Sequence, residues 1–245
     1  MTVAPTSVHS EGAPHRSRWV LVAILAFLLG GATVALLYQF DVFAGTSTSS
    51  GSTRGSGVPA TQTRDVPAFD AVELAGGNNV VIHAGGTQSV VVKADDNLLN
   101  RVTTRVQSRT LVIGNTPGGL TTRSPMSVVV TVPTLSELTL AGGGNILVDG
   151  IKTKSLTVTL SGGGNLTGSG TAGSLDVTLS GSGNVLFTRL AADKVHAVLS
   201  GSGNIFVTAT ASLDASIPGS GSIAYAGNPH VVTKSVTGSG AITGR

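Results

Sequence analysis

Apolar and polar residues alternate in short blocks along the second half of the chain. In SLTVTLS, Leu156, Val158 and Leu160 form one set and Thr157 and Thr159 the other; SLDVTLS repeats the arrangement with Leu175, Val177 and Leu179. A period of two sends alternate side chains to opposite faces, so each block predicts a strand with one buried face. Each block runs into a glycine-rich phrase such as SGSGN, and a second apolar-led strand follows at once. One longer pattern stands apart: residues 19–38, WVLVAILAFLLGGATVALLY, are continuously uncharged and predict a helix rather than strands.

The glycine-rich phrases keep a register. Asn145, Asn165, Asn184 and Asn204 follow one another at intervals of 20, 19 and 20, Ser222 and Ala241 continue the series, and Asn79 opens an earlier copy. Three positions before the marker stands glycine (Gly142, Gly162, Gly181, Gly201), and one before it stands glycine again (Gly144, Gly164, Gly183, Gly203). In the first copy Asn78 takes that second place; asparagine is the non-glycine residue most tolerant of positive φ, so a left-handed corner is expected. Equivalent positions recurring at a fixed period predict units stacked in parallel, each burying its apolar face against the next. The fold class expected is therefore all-β, a right-handed parallel β-helix (β-solenoid) of about 19–20-residue coils, with the asparagines stacked as a hydrogen-bonded ladder. Right-handedness is chosen because the hexapeptide period of left-handed β-helices is absent. The less regular stretch between Asn79 and Asn145 is expected to hold three coils of about 22 residues, giving about nine coils in all.

Composition narrows the function. The chain has 245 residues, 34 glycines, 11% charged residues and a formal net charge of +3, with no Lys/Arg cluster; nucleic acid is not an expected partner. The absence of cysteine excludes disulfides, thiolate metal sites and a thiol nucleophile. No cofactor or metal is expected.

The apolar helix sets the compartment. At about 1.5 Å per residue, residues 19–38 span the hydrocarbon layer, with Trp19 and Tyr38 at its two interfaces. Arg16 and Arg18 precede it and Asp41 follows, which places residues 1–18 in the cytoplasm and the rest outside. An uncleaved anchor is preferred to a signal peptide cut after Val42 and Ala44, because the apolar run is long for a signal. Residues 39–64, rich in Ser, Thr and Gly, are expected to form a flexible tether, and residues 65–245 the β-helix domain.

Chemical motifs are few. GSGTAG at residues 168–173 matches G-x-G-x-x-G, but a strand rather than a helix follows it, so no pyrophosphate site is expected. No P-loop and no G-x-S-x-G occurs. The one chemically interesting set lies eight residues before each marker, on the solvent side: Glu137, Thr157, Asp176, His196 and Asp214, with Thr233 beyond. Stacked about 4.8 Å apart, they would form a polar column and a possible ligand-contact face. Its plain alternative is a solvated ladder in which His196 separates two carboxylates. No catalytic residue is assigned.

DVPAFDAVELAGGNNVVIHAGG, VVVKADDNLLNRVTTRV, LTLAGGGNILVDG and the recurring LSGSGN resemble the head GIN domain family of bacteria, described as an auto-transporter adhesin head, over about residues 64–245. The resemblance implies a β-helical extracytoplasmic domain with an adhesive role and no set of catalytic residues. The repeats continue to GSGAITGR, so the N-terminal helix is expected to hold the domain to the membrane.

The function expected is that of a non-enzymatic cell-envelope interaction module for an envelope or surface protein or a glycan. The alternative is a carbohydrate-binding or carbohydrate-active β-helix using Asp176, His196 and Asp214. Aromatic residues for sugar stacking are scarce, and Phe187, Phe206 and Tyr225 are expected to point inward. At the N-terminal end, VPAFDAV with Phe69 is expected to cap the core. At the C-terminal end, Lys234 at an inward position is expected to blunt the last coil as a monomer, with an end-to-end homodimer as the alternative.

Overall fold

The computed structural model describes residues 52–245. The expected cytoplasmic segment (1–18) and membrane helix (19–38) lie outside the described residues. Among the described residues no helix is long and apolar enough to cross a membrane.

The first nine strands are β1 (Thr53–Arg54), β2 (Pro59–Arg64), β3 (Ala71–Leu74), β4 (Asn79–Ala84), β5 (Ser89–Asp95), β6 (Val102–Gln107), β7 (Thr110–Asn115), β8 (Leu120–Thr121) and β9 (Ser127–Val132). Then come β10 (Glu137–Leu140), β11 (Asn145–Leu160), β12 (Asn165–Leu179), β13 (Asn184–Leu199), β14 (Asn204–Ile217), β15 (Ser222–Ala226), β16 (Val231–Val236) and β17 (Ala241–Gly244). From β10 upward every pairing is parallel and holds the predicted register: Asn145 on Asn165, Asn165 on Asn184, Asn184 on Asn204, Asn204 on Ser222, Ser222 on Ala241. This is a β-solenoid of about five turns. Its interior is filled by the predicted inward sets, among them Leu156, Val158, Leu160, Leu175, Val177 and Leu179, all essentially inaccessible to solvent. Each such side chain contributes about 1.5–3 kcal/mol of burial.

Below this stack the expected coils are absent. Asn79 pairs directly with Asn145, and β3 with β10, so the two copies are adjacent rungs although 66 residues separate them. The intervening chain builds a mixed base instead of three coils, and the expected nine coils do not form. Strand β7 lies parallel beneath β3 and β9 parallel beneath β4. Each then acquires an antiparallel neighbour, β6 on β7 and β5 on β9, with β2 antiparallel on β5. The physical reason is local reversal. Ser108 and Arg109 both have positive φ, 48° and 65°, and form a two-residue turn matched to strand twist, so β6 and β7 pair as a hairpin. A 3₁₀ turn over Asp96–Arg101 then carries the chain between the two walls and buries Leu98.

Two further expectations change. The tether was expected to reach Arg64, but β1 pairs with β8 and β2 joins the base sheet, so Thr53–Arg64 contributes ordered strands. Phe69 enters the core as expected, yet the end is closed by β2, β6 and the 3₁₀ turn rather than by VPAFDAV.

The corner glycines are required for a different reason than a left-handed backbone. Within the stacked coils left-handed φ occurs at Gly150, Gly170 and Gly227, at the second bend of the coil, and not at the corners or at Asn78. At Gly164 a Cβ would overlap the carbonyl oxygen of Gly144 in the coil beneath; Gly144, Gly183 and Gly203 face the same obstacle from Asn78, Gly164 and Gly183. The missing side chain would point down the stack, where the next coil lies at hydrogen-bonding distance. Asn78 is tolerated because Gly114 and Asn115, rather than another corner, lie below it: its Nδ2 donates to Asn115 Oδ1 at 3.0 Å.

Candidate functional site

The polar column forms as the spacing predicts. Strand pairing places Glu137 beside Thr157, Thr157 beside Asp176, Asp176 beside His196, His196 beside Asp214 and Asp214 beside Thr233. His196 Nδ1 stands 3.4 Å from Asp214 Oδ2, with both side chains half or more exposed. Such a pair is worth little in water. Among the described residues no group of three or more His, Cys, Asp or Glu side chains is arranged to hold a metal ion. A second pair of the same kind, His83 Nδ1 to Asp149 Oδ1 at 2.9 Å, joins β4 to β11.

A different wall carries the more ordered chemistry. The asparagine side chains form a continuous ladder: Asn145 Nδ2 donates to Asn79 Oδ1 (3.0 Å), Asn165 to Asn145 (3.0 Å), Asn184 to Asn165 (2.8 Å) and Asn204 to Asn184 (2.9 Å). The Ser222 hydroxyl ends it by donating to Asn204 Oδ1 at 2.6 Å. Two residues along, Leu147, Leu186 and Phe206 also face outward. Phe206 thus departs from the inward position expected of it, because it pairs with outward Leu186 and stands between inward Ile205 and Val207. Phe187 is buried as expected; its ring fills the space left by Gly168 in the coil below. Tyr225 pairs with buried Val207 and takes an inward position near the open end.

Sequence reasoning missed one buried charge, Asp95, at the end of β5. Its carboxylate accepts hydrogen bonds from the Arg123 amide (2.9 Å), the Ser124 hydroxyl (2.7 Å) and amide (3.3 Å), and the Gly57 amide (3.0 Å). It therefore ties the loop after β1 and the loop after β8 to the base. The Arg123 amide foremost, with Ser124 and Gly57, holds its carboxyl below the ordinary carboxylate value of 3.8, against the opposing effect of burial. The unfolded chain would bind a proton first, so this contribution is present at neutral pH and is lost as pH falls through the lowered value. We expect the wild-type melting temperature to drop more steeply below pH 3.8 than that of Asp95→Asn, which should start lower at neutral pH. Parallel melting curves would remove Asp95 from this role. The only hint in the sequence was a doubled acidic pair directly after a strand.

Residues 68–229 match the family described as "Putative auto-transporter adhesin, head GIN domain". No curated protein matches the chain. Among solved structures, one described as a putative adhesin from Bacteroides fragilis shares 24% identity, covering 79% of this chain and 100% of that one with a TM-score of 0.67. Another, described as a putative lipid binding protein from Parabacteroides distasonis, shares 23% identity over 80% of this chain and 100% of that one with a TM-score of 0.54. At these identities the likeness is one of fold.

Proposed function

This chain belongs to the head GIN domain family, and from that premise we propose that it is a non-enzymatic, extracytoplasmic interaction module of the cell envelope. In this reading residues 19–38 anchor it in the membrane, residues 1–18 stay in the cytoplasm, and a right-handed solenoid stands outside as a rigid rod. The observation that carries the reading is the set of flat outer walls built from stacked, repeated side chains, on which the described residues form open grooves of about 450 and 560 Å³. The names of the related structures, adhesins for the most part, point the same way.

A reporter enzyme active only outside the cytoplasm, fused after Arg245, should be active, and a cytoplasm-dependent reporter at the same place silent. The reverse result would overturn the topology. For the binding role, purified full-length chain in detergent should sediment with envelope fragments of its source cells; chain left wholly in the supernatant would overturn it.

The rod works as a monomer in this reading. Val232, Lys234 and Val236 pair with buried Leu213, Ala215 and Ile217 and so form the exposed end of the core. Lys234 Nζ lies 4.8 Å from the Tyr225 ring centre, placing a cation in the middle of that cross-section. Light scattering should find the wild type monomeric in its micelle and Lys234→Leu shifted toward a dimer. A wild-type dimer would show that the charge does not blunt the edge.

A further inference from the structure

The ladder wall carries a feature that neither the family nor the polar column explains. Val129, Val81, Leu147, Thr167, Leu186 and Phe206 succeed one another in register, forming an outward, mostly apolar column beside the asparagines, which ends where the Arg245 guanidinium lies 5.2 Å from the Phe206 ring centre. Leu147 is 42% exposed. Between column and ladder runs a shallow groove of about 560 Å³, and none of its lining residues is ionisable. Asn145, Asn165, Asn184 and Asn204 each spend one amide N–H on the rung below, which leaves the second N–H for another partner. The wall thus offers a straight apolar track flanked by donors repeating about every 4.8 Å.

We propose that this track binds a linear, neutral, β-linked polysaccharide strand lying along the solenoid axis. The proposal rests on the interaction-module reading and names its ligand class. A sugar ring in an extended chain has an apolar C–H face and hydroxyls at its rim, which suits Leu147 and Leu186 beneath it and amides beside it. A peptide laid along the track fits poorly, because strand addition needs unpaired backbone groups and each strand that carries the track, β9, β4, β11, β12, β13 and β14, is paired on both sides. A second copy of the chain fits poorly too: a track about 24 Å by 7 Å falls far short of the roughly 800 Å² per partner of a stable protein interface. The groove itself holds no ionisable group and the Arg245 cation is confined to the Phe206 end of the track, which disfavours an anionic polymer.

The test uses the full-length chain in detergent, incubated with cellulose, chitin or granular starch particles and assayed by depletion of the supernatant. Cellulose or chitin should retain the chain, and starch, whose α-linked strands coil, should not. Leu147→Asp and Leu186→Asp, both on the outer face and lining the groove, should lower retention by roughly tenfold each. Unchanged melting would exclude misfolding, and Leu147→Ala and Leu186→Ala serve as milder substitutions with a smaller loss in the same direction. Asp176→Ala and His196→Ala, on the other wall, should bind as wild type. Failure to bind cellulose and chitin, equal binding to starch, or binding lost through Asp176→Ala and kept in Leu147→Asp would each overturn the proposal. If cellulose and chitin fail while source-cell envelope still sediments the chain, the broader reading stands and only this ligand class falls.

Discussion

Gly164→Ala should unfold much of the solenoid, while Gly163→Ala, one residue away, should leave its melting temperature nearly unchanged. A methyl group at Gly164 would overlap the Gly144 carbonyl oxygen, part of a backbone that cannot move without opening the coil interface. At Gly163 the nearest atom to such a methyl is Ser182 Oγ at 3.9 Å, an ordinary contact. The sequence already samples the tolerant place: the middle corner residue is Gly143, Gly163, Ser182, Ser202 or Ser220 in successive coils. Overlap with fixed backbone belongs among the largest single-residue effects, above about 4 kcal/mol, whereas the Gly163 change should stay within about 0.5 kcal/mol. Because the loss is steric, Gly164→Ala should already be severe and Gly164→Val worse. Thermal melting of the two alanine variants decides the matter. Equal stability would mean that the coils are not stacked as closely as described.

Phe187→Ala is expected to cost about 3–5 kcal/mol, the range for emptying a large aromatic site in a close-packed interior. The inward column at this point reads Val148, Gly168, Phe187, Val207, and the Phe187 ring occupies the room that a side chain at position 168 would take. A Cβ at Gly168 would stand 2.6 Å from the Phe187 ring. Gly168→Ala alone should therefore also destabilise, through overpacking, by about 1–3 kcal/mol. The two positions share one volume, so their effects should not add: beside wild type and the single variants Gly168→Ala and Phe187→Leu, the double variant Gly168→Ala/Phe187→Leu should be more stable than the sum of those two single losses implies. Chemical denaturation of all four proteins measures the coupling. Additive losses would show that the ring does not rest in the Gly168 notch.

The stacked region was legible in the chain because its design is periodic. Once the asparagines are aligned, every pairing from Asn145 to Ala241 follows, as do the ladder and the Asp176–His196–Asp214 column. The base was not legible for the opposite reason. Its strands, such as SVVVKA and SVVVTV, announce themselves, but nothing in their spacing tells a parallel return from a hairpin. The deciding turn at Ser108 and Arg109 lacks the glycine or asparagine that marks positive φ, and Arg109 is secured instead by Asp70, whose Oδ2 lies 2.9 Å from its Nη2. Asp95 escaped notice because its partners are backbone amides of loops distant in sequence. The corner glycines were identified correctly but for the wrong cause: one-dimensional reading offers φ as the usual reason for glycine, and the neighbouring coil is visible only in three dimensions. For the apolar track, Phe206 was misassigned to the interior by assuming that a large aromatic side chain must be buried.

The ladder has a direction. From Asn204 down to Asn145 every amide donates toward the base, and each amide from Asn204 to Asn79 accepts from the coil above, so the amide dipoles point one way along the rod. Aligned hydrogen bonds polarise one another, and turning any single amide over would set like groups face to face on both sides. The row is therefore locked as one unit, with a spare N–H at Asn79 and its acceptor end closed by the Ser222 hydroxyl. Polarity of this kind lets a surface made of chemically identical rungs tell one end of a long molecule from the other, so that anything held along it would be held in a single orientation.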